Sequence, residues 1–401
     1  MAKEILCDVL VVGAGPAGGV CAAKLAKKGF KVICIDAGKF PGSVHSEKID
    51  ITENKGIDKI ISELKLAVLA KTNKSIWYSP NDKFTFVSSV HDLFFLRGKS
   101  KKSLDYSLMK AMRKNKVTLL FSTKIYKLNK TNQIINSVVV ESKEKIFTIK
   151  PKIVVSATGS DNYFVDMLGV SESNKTHILG FGALVSGLRM EDKTTSIFFD
   201  ANYAPGGYFF IGKVSKSFGM SMLVVNKALI KRPIKELYTE FIKENQELYG
   251  IMLGSKTIKQ NGGERTISKT SARVIGNVAF IGDAARTMSP VFAYGVNPAM
   301  RSGGMLADEI SKNGANENAL EVYSKRMDKE LGTENNIIKF RKAYDKLTNA
   351  DYNFLVETAN YLHSKQHLDK LIDSDEYEIK HLITAILRRP LKVLKLGLKL
   401  I

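Results

Sequence analysis

The chain has 401 residues, 44% of them hydrophobic and 25% charged, which excludes a disordered chain and provides apolar material for two or three packed subdomains. Lys and Arg number 61 against 40 Asp and Glu, a formal net charge of +21. Such an excess suits an anionic partner, whether a membrane surface, a nucleic acid or an acidic ligand, or else a Lys-rich solvated surface, and the placement of the charges has to decide.

In chain order, LCDVLVV (6–12) reads as a buried strand, PAGGVCAAKLAKK (16–28) as a helix with small residues on one face, and KVICID (31–36) as a second strand. Asp8 interrupts the first apolar run, so no signal peptide is expected. Between strand and helix stands Gly13-Ala14-Gly15-Pro16-Ala17-Gly18, and Asp36 ends the second strand. In that setting Gly13 permits the tight turn, Gly15 lets a pyrophosphate approach bare backbone, and Gly18 lets the helix close on the sheet. The helix N-terminus presents free N–H groups to phosphate, and Asp36 can accept from a ribose hydroxyl. A dinucleotide site is predicted. Cys7, Cys21 and Cys34 lie inside apolar segments, as buried thiols of a reducing compartment do, and no zinc-like spacing occurs, so no metal is expected.

Residues 37–90 lose the βα rhythm that a nicotinamide dehydrogenase would continue. A strand is expected over 117–125, and another in PKIVVSATGSD (151–161), which ends in Ala157-Thr158-Gly159. The block 177–265 carries strand patterns in TTSIFFD (194–200), GGYFFIGKV (206–214) and SFGMSMLVV (217–225), expected to form an antiparallel sheet over a cofactor ring. Residues 273–310 give a strand, an acidic turn at Gly282-Asp283, a loop with Pro290 and Gly295, and a helix; residues 318–401 read as helical and charged. No window reaches about 18 uninterrupted apolar residues, so no transmembrane span is expected.

The dispersed glycine loop, late GD and following helix resemble the flavoprotein fold of p-hydroxybenzoate hydroxylase. That resemblance implies FAD, with Asp283 holding the ribityl chain and the helix after Gly295 facing the flavin edge that becomes negative on reduction. The expected class is α/β (α+β). An FAD-binding Rossmann-type domain (1–176 and 266–317) is interleaved with an antiparallel-sheet substrate domain (177–265), followed by a helical C-terminal region (318–401).

More narrowly, GAGPAG (13–18), PGGYFFIGK (205–213), GDAA (282–285) and PVFAYGVNPAMRSG (290–303) resemble the geranylgeranyl reductase family, above all its archaeal digeranylgeranylglycerophospholipid reductases. The second segment is similar to that family's PxGYxWxFP and the fourth to its PxxGxGIxxAMxSG. Phe210 stands where the signature has Trp, and Gly212-Lys213 replace its Phe-Pro, which leaves Pro205, Tyr208 and Phe210 as the substrate-lining wall. Where members carry Cys-Gly, this chain has His45-Ser46. KKSLDYSLMKAM (101–112) resembles the family's RxxFDxxL, with Lys101 in the arginine's place and Arg97 nearby as the alternative.

Carried over residue by residue, the resemblance implies FAD contacts at Gly13, Gly15, Ala17, Gly18, Asp36, His45, Ser46, Lys48, Arg97 or Lys101, Ile125, Gly159, Asp283, Gly295 and Val296. For His45, Ser46 and Lys48 a plain solvent-facing loop is the alternative. The implied activity is reduction of isolated C=C bonds in an isoprenoid lipid, with His45 and Tyr208 as candidate catalytic groups. An external donor (NAD(P)H, ferredoxin or another reduced carrier) is needed, since no second GxGxxG exists. A monooxygenase on the same fold and a non-catalytic flavin-bearing lipid carrier stay open.

The last stretch, LRRPLKVLKLGLKLI, puts Arg388, Lys392, Lys395 and Lys399 on one helical stripe beside Leu391, Leu394 and Leu398, the pattern of an interfacial helix. The expectation is a cytoplasmic protein peripheral on the inner face of the cell membrane, although a helix docked on its own domain would show the same pattern. No aromatic-interleaved basic platform or helix-turn-helix is present, so nucleic acid is not expected as a partner.

Overall fold

The computed structural model describes residues 4–40, 48–142, 145–160, 163–169, 172–270, 273–332 and 334–364. In an eight-stranded sheet, Val278–Phe280, Lys145–Ser156, Glu4–Val12, Val32–Asp36 and Thr118–Phe121 lie side by side and parallel. Val9, Leu10, Val11 and Val12 are all buried, so both faces of the strand are covered, which is why it reads as a continuous apolar run. The hairpin Thr123–Thr131/Ile134–Ser142 folds antiparallel onto Lys145–Ser156. The single strand expected over 117–125 is broken at Ser122, whose φ of +51° turns the chain out of extended geometry.

Helix Pro16–Lys27 packs on helices Leu104–Lys114 and Val296–Asn313. The second contact is backbone-close: a Cβ on Gly303 would lie 2.2 Å from the carbonyl oxygen of Ala17. Small residues at this crossing bring together the N-terminal ends of the two helices, the feature on which the site depends.

A second eight-stranded sheet runs in the order Lys256–Thr270, Glu172–Ser186, Gly219–Asn226, Tyr208–Lys213, Thr194–Phe198, Ala70–Tyr78, Lys83–Arg97, Lys48–Glu53. All neighbours are antiparallel except Thr194–Phe198 with Ala70–Tyr78. Residues 48–97, assigned by sequence to the first domain, therefore belong to this sheet. They join it through Ala70–Tyr78 alone, which pairs with Thr194–Phe198 more than a hundred residues away, as Ser75 does with Thr195, beyond the reach of local pattern. Period-two alternation splits the strand Tyr208–Lys213: Phe209 and Ile211 pack with Phe241, while Tyr208 and Phe210 face the layer of Tyr344 and Tyr352.

The C-terminal helices seal both sheets. From Glu317–Leu331, Tyr323 donates to the Phe280 carbonyl at 2.7 Å. From Glu334–Tyr344, Tyr344 donates to the Gly207 carbonyl at 2.9 Å, and from Asn349–Ser364, Asn349 donates to Asp200 at 2.9 Å. The basic stretch from Arg388 onward lies outside the described residues. Among the described residues no helix is long and apolar enough to cross a membrane. Cys7, Cys21 and Cys34 are free and buried, and burial pushes the thiols of Cys7 and Cys21 up to about 12.

Candidate active site

One cavity of about 1800 Å³ runs from the glycine loop to the aromatic face of the second sheet. Drug-sized ligands occupy roughly 300–1000 Å³, so a dinucleotide and a second molecule fit here together.

At the first end Gly13 takes φ +106°, and a Cβ there would sit 2.3 Å from the Ala157 carbonyl oxygen. A Cβ on Gly18 would meet the Gly13 carbonyl oxygen at 1.9 Å, so this glycine serves helix–strand packing and is not part of the cavity wall. Gly15 differs: a Cβ would touch nothing within 4 Å, and no side chain caps the helix that it opens. Its backbone faces the cavity, where the free N–H groups of the helix end favour an anion. Asp36 lines the same wall and accepts from the N–H of Ala14 and of Gly38, each at 2.8 Å. Each of its oxygens keeps a lone pair for a ligand hydroxyl, and burial raises its pKa despite those two bonds.

Asp283 supplies the test of fit. Its Oδ1 is buried without a hydrogen-bond partner, and burial pushes its pKa up. It lines the cavity beside Gly295, where a Cβ would lie 3.0 Å from that oxygen. The helix that Gly295 opens, Val296–Asn313, has no side-chain cap and no acidic residue in its first turn. An orphaned acceptor and two open helix ends on one cavity fit a ligand carrying hydroxyls, a pyrophosphate and a ring edge that becomes anionic. Ala17, Lys48, Ile125, Gly159 and Val296 also line it.

Other expected positions fall differently. Arg97 reaches the wall with its guanidinium committed: Nε and Nη2 donate to Asp105 at 2.9 and 2.8 Å, and Nη1 to Asp50 at 2.8 Å. Lys101 is exposed and off the cavity wall, because Ser103 caps the helix and leaves Lys101 in the turn before it. Pro205 is also off the wall; it sits in the turn before the strand, where its carbonyl accepts from Asn226 at 3.0 Å. His45 and Ser46 lie outside the described residues.

The aromatic end contains Tyr208 and Phe210 as expected, and also Trp77, Phe86 and Phe292, which were not anticipated. Trp77 meets Phe86 edge-on with centroids 5.4 Å apart and lies 6.4 Å from Phe292. It supplies an indole two strands away from the 205–213 segment, which lacks one. The Tyr208 hydroxyl donates to the Phe292 carbonyl at 2.5 Å, and burial raises its pKa, so that proton is held. Sequence reading also missed Glu53, Asp92 and Tyr294 on the same wall. The only local signal for Tyr294 was its place before Gly295; for the two acids there was none.

The family description "FAD binding domain" matches residues 6–329. The chain belongs to that family. It is an FAD-dependent oxidoreductase, and its cofactor is FAD. This flavoprotein is 26% identical to digeranylgeranylglycerophospholipid reductase 1 of Methanococcoides burtonii, over 87% of this chain and 86% of that protein. It is 23% identical to digeranylgeranylglycerophospholipid reductase 2 of Methanopyrus kandleri, over 96% of each. In fold it is similar to a geranylgeranyl bacteriochlorophyll reductase-like protein from Thermoplasma acidophilum, with a TM-score of 0.79, 17% identity and full coverage of both chains. A flavin-dependent brominase shares the fold with a TM-score of 0.73, at 16% identity and 92% coverage of each.

Proposed function

We propose that this flavoprotein reduces isolated C=C bonds in the geranylgeranyl chains of a membrane lipid precursor. The observation that carries the reading is the continuity of one cavity from the flavin loop to an aromatic chamber, in a chain similar along most of its length to the digeranylgeranylglycerophospholipid reductases.

Bound FAD, once reduced by an external donor such as NAD(P)H or ferredoxin, supplies a hydride. The residues do the rest. Gly13, Gly15, Ala17 and the open helix end would hold the pyrophosphate, Asp36 and Asp283 would take ribose and ribityl hydroxyls, and Gly295 and Val296 would lie against the ring. Trp77, Phe210 and Phe292 exclude water and align the chain, which matters because an isolated alkene has no carbonyl to polarise and depends on positioning. The basic C-terminal stretch would hold the protein at an anionic membrane surface, where its substrate resides.

The test is anaerobic. The purified chain is reduced with dithionite and given digeranylgeranyl phospholipid while flavin reoxidation and product mass are followed. Reoxidation with a gain of two hydrogens per bond is expected. Flavin that stays reduced until air is admitted refutes alkene reduction and favours a monooxygenase.

A further inference from the structure

The cavity wall carries a polar cluster outside the residues proposed to hold FAD. Glu53 and Asp92 are register partners on the antiparallel strands Lys48–Glu53 and Lys83–Arg97, so their side chains leave the sheet on one face, and both line the cavity. Asp92 Oδ2 accepts from Thr195 Oγ1 at 2.8 Å, and Thr195 Oγ1 lies 2.9 Å from Ser75 Oγ. Glu53 Oε1 accepts from the Tyr294 hydroxyl at 2.8 Å. Asn297, in the first turn of the helix that Gly295 opens, donates to the carbonyls of Glu53 and Lys55 at 2.9 and 2.8 Å. The acid cluster is thereby pinned to the helix end that faces the flavin.

Among the described residues neither carboxyl has a Lys or Arg within salt-bridge distance. A second carboxylate placed opposite Asp92 in an aromatic chamber disfavours its ionised form. Burial chiefly, with the charge of Glu53 adding to it, pushes Asp92 up to about 6, against the hydroxyls of Thr195 and Ser75, which favour the ionised form. The groups set around Asp92 are Glu53, Thr72 and Ser75, Thr195, Tyr208 and Tyr294, each from a different strand or loop except the Thr72–Ser75 pair. Lys55 lines the same cavity.

We infer that Glu53 and Asp92 form the proton source of the reaction, with Asp92 as the donor and Tyr294, Thr195 and Ser75 as positioning residues. This rests on the reading of the protein as an alkene reductase. For each double bond, the alkene takes a hydride from reduced flavin at one carbon as the π bond breaks. In the same step, since hydride addition ahead of the proton would leave an unstabilised carbanion, the O–H bond of the Asp92 carboxyl breaks, its proton takes the π electrons to form the second C–H bond, and the O–H electron pair stays on the carboxylate. The alkene gains two electrons, the flavin loses two, and water restores the carboxyl proton. Tyr208 is the poorer donor because its hydroxyl is held by Phe292.

The experiment is single-turnover reoxidation of the FAD-loaded, dithionite-reduced protein by digeranylgeranyl phospholipid on both sides of about pH 6. In the wild type the rate falls about tenfold per pH unit above the inflection. Asp92→Asn slows it on the order of 100-fold or more and abolishes the inflection, while the flavin spectrum and dithionite reduction stay unchanged. Glu53→Gln moves the inflection down, because the charge that raises Asp92 is gone.

A readout independent of turnover is the infrared carbonyl band of a protonated carboxyl, titrating near the same pH in wild type and absent in Asp92→Asn. If Asp92→Asn does not fold, Thr195→Val replaces it, and removing that hydroxyl raises both the kinetic inflection and the infrared midpoint. Asp92→Asn at wild-type rate, or a Thr195→Val inflection that does not move, overturns the proton role alone. A wild type that holds and reduces flavin yet saturates no alkene overturns the reductase reading and this inference with it.

Discussion

At the scale of single residues, two glycines of one motif do different work. Gly13 holds a left-handed φ, and its missing Cβ makes room for the Ala157 carbonyl, so Gly13→Ala is a folding mutation. Strain of this kind costs roughly 1–3 kcal/mol, and the clash adds to it. Gly15 has ordinary φ and open space where a Cβ would stand, so Gly15→Ala leaves the flavin-free protein within about 1 kcal/mol of wild type. Its methyl then occupies the approach of the pyrophosphate. Urea melts of the flavin-free proteins and FAD titrations separate the two: Gly13→Ala lowers the urea midpoint, and Gly15→Ala raises the Kd for FAD by tenfold or more, about 1.4 kcal/mol. Equal FAD affinity in Gly15→Ala would place the pyrophosphate elsewhere. Motif spacing assigns Gly13 to the turn and Gly15 to the pyrophosphate, and what each absent Cβ would touch is the physical ground for that division.

Between elements, Arg97 is a clamp. It closes a triad across strand Lys83–Arg97, strand Lys48–Glu53 and helix Leu104–Lys114, with Asp105 fully buried behind it. Arg97→Met strands that buried carboxylate and is expected to destabilise the protein by about 3–5 kcal/mol, with much of the loss recovered in Arg97→Met/Asp105→Leu. Burial alone would raise Asp50, but Lys48 and Arg97 outweigh it and hold it at about 2. A depressed carboxyl pKa contributes stability above its unfolded value. The clamp's contribution is therefore intact above about pH 4 and is lost as pH falls from there to about 2. Acid unfolding followed by circular dichroism checks the sign, since Asp50→Asn should flatten that limb. Reading 101–112 by resemblance put a basic group near the flavin but could not show that Arg97 would be spent on Asp105, because that pairing depends on where the strand ends against the helix.

For the whole molecule, the cavity between the two sheets is the proposed FAD site, and FAD binding there is expected to stabilise the fold. Trp77, the one tryptophan in the chain, stands on its wall, so FAD binding is expected to quench most of the intrinsic tryptophan fluorescence. Stability should rise with the logarithm of FAD concentration, by about 2.7 kcal/mol at a hundredfold excess over Kd. Fluorescence unchanged at saturating FAD would separate the flavin from this chamber. The sequence by itself determined the strand–glycine loop–helix unit, the late Gly282-Asp283 turn and the open helix at Gly295, because each is set by residues adjacent in the chain, with a left-handed φ at Gly13 and Gly282 that favours glycine. The tertiary structure alone decided that residues 48–97 join the second sheet, that Trp77 faces the cavity, and that Glu53 and Asp92 stand opposite one another beside Thr195 and Tyr294. Those relations arise from strand register and helix docking between distant segments, and an isolated acid in an alternating strand carries no local sign of the charge it will be made to face.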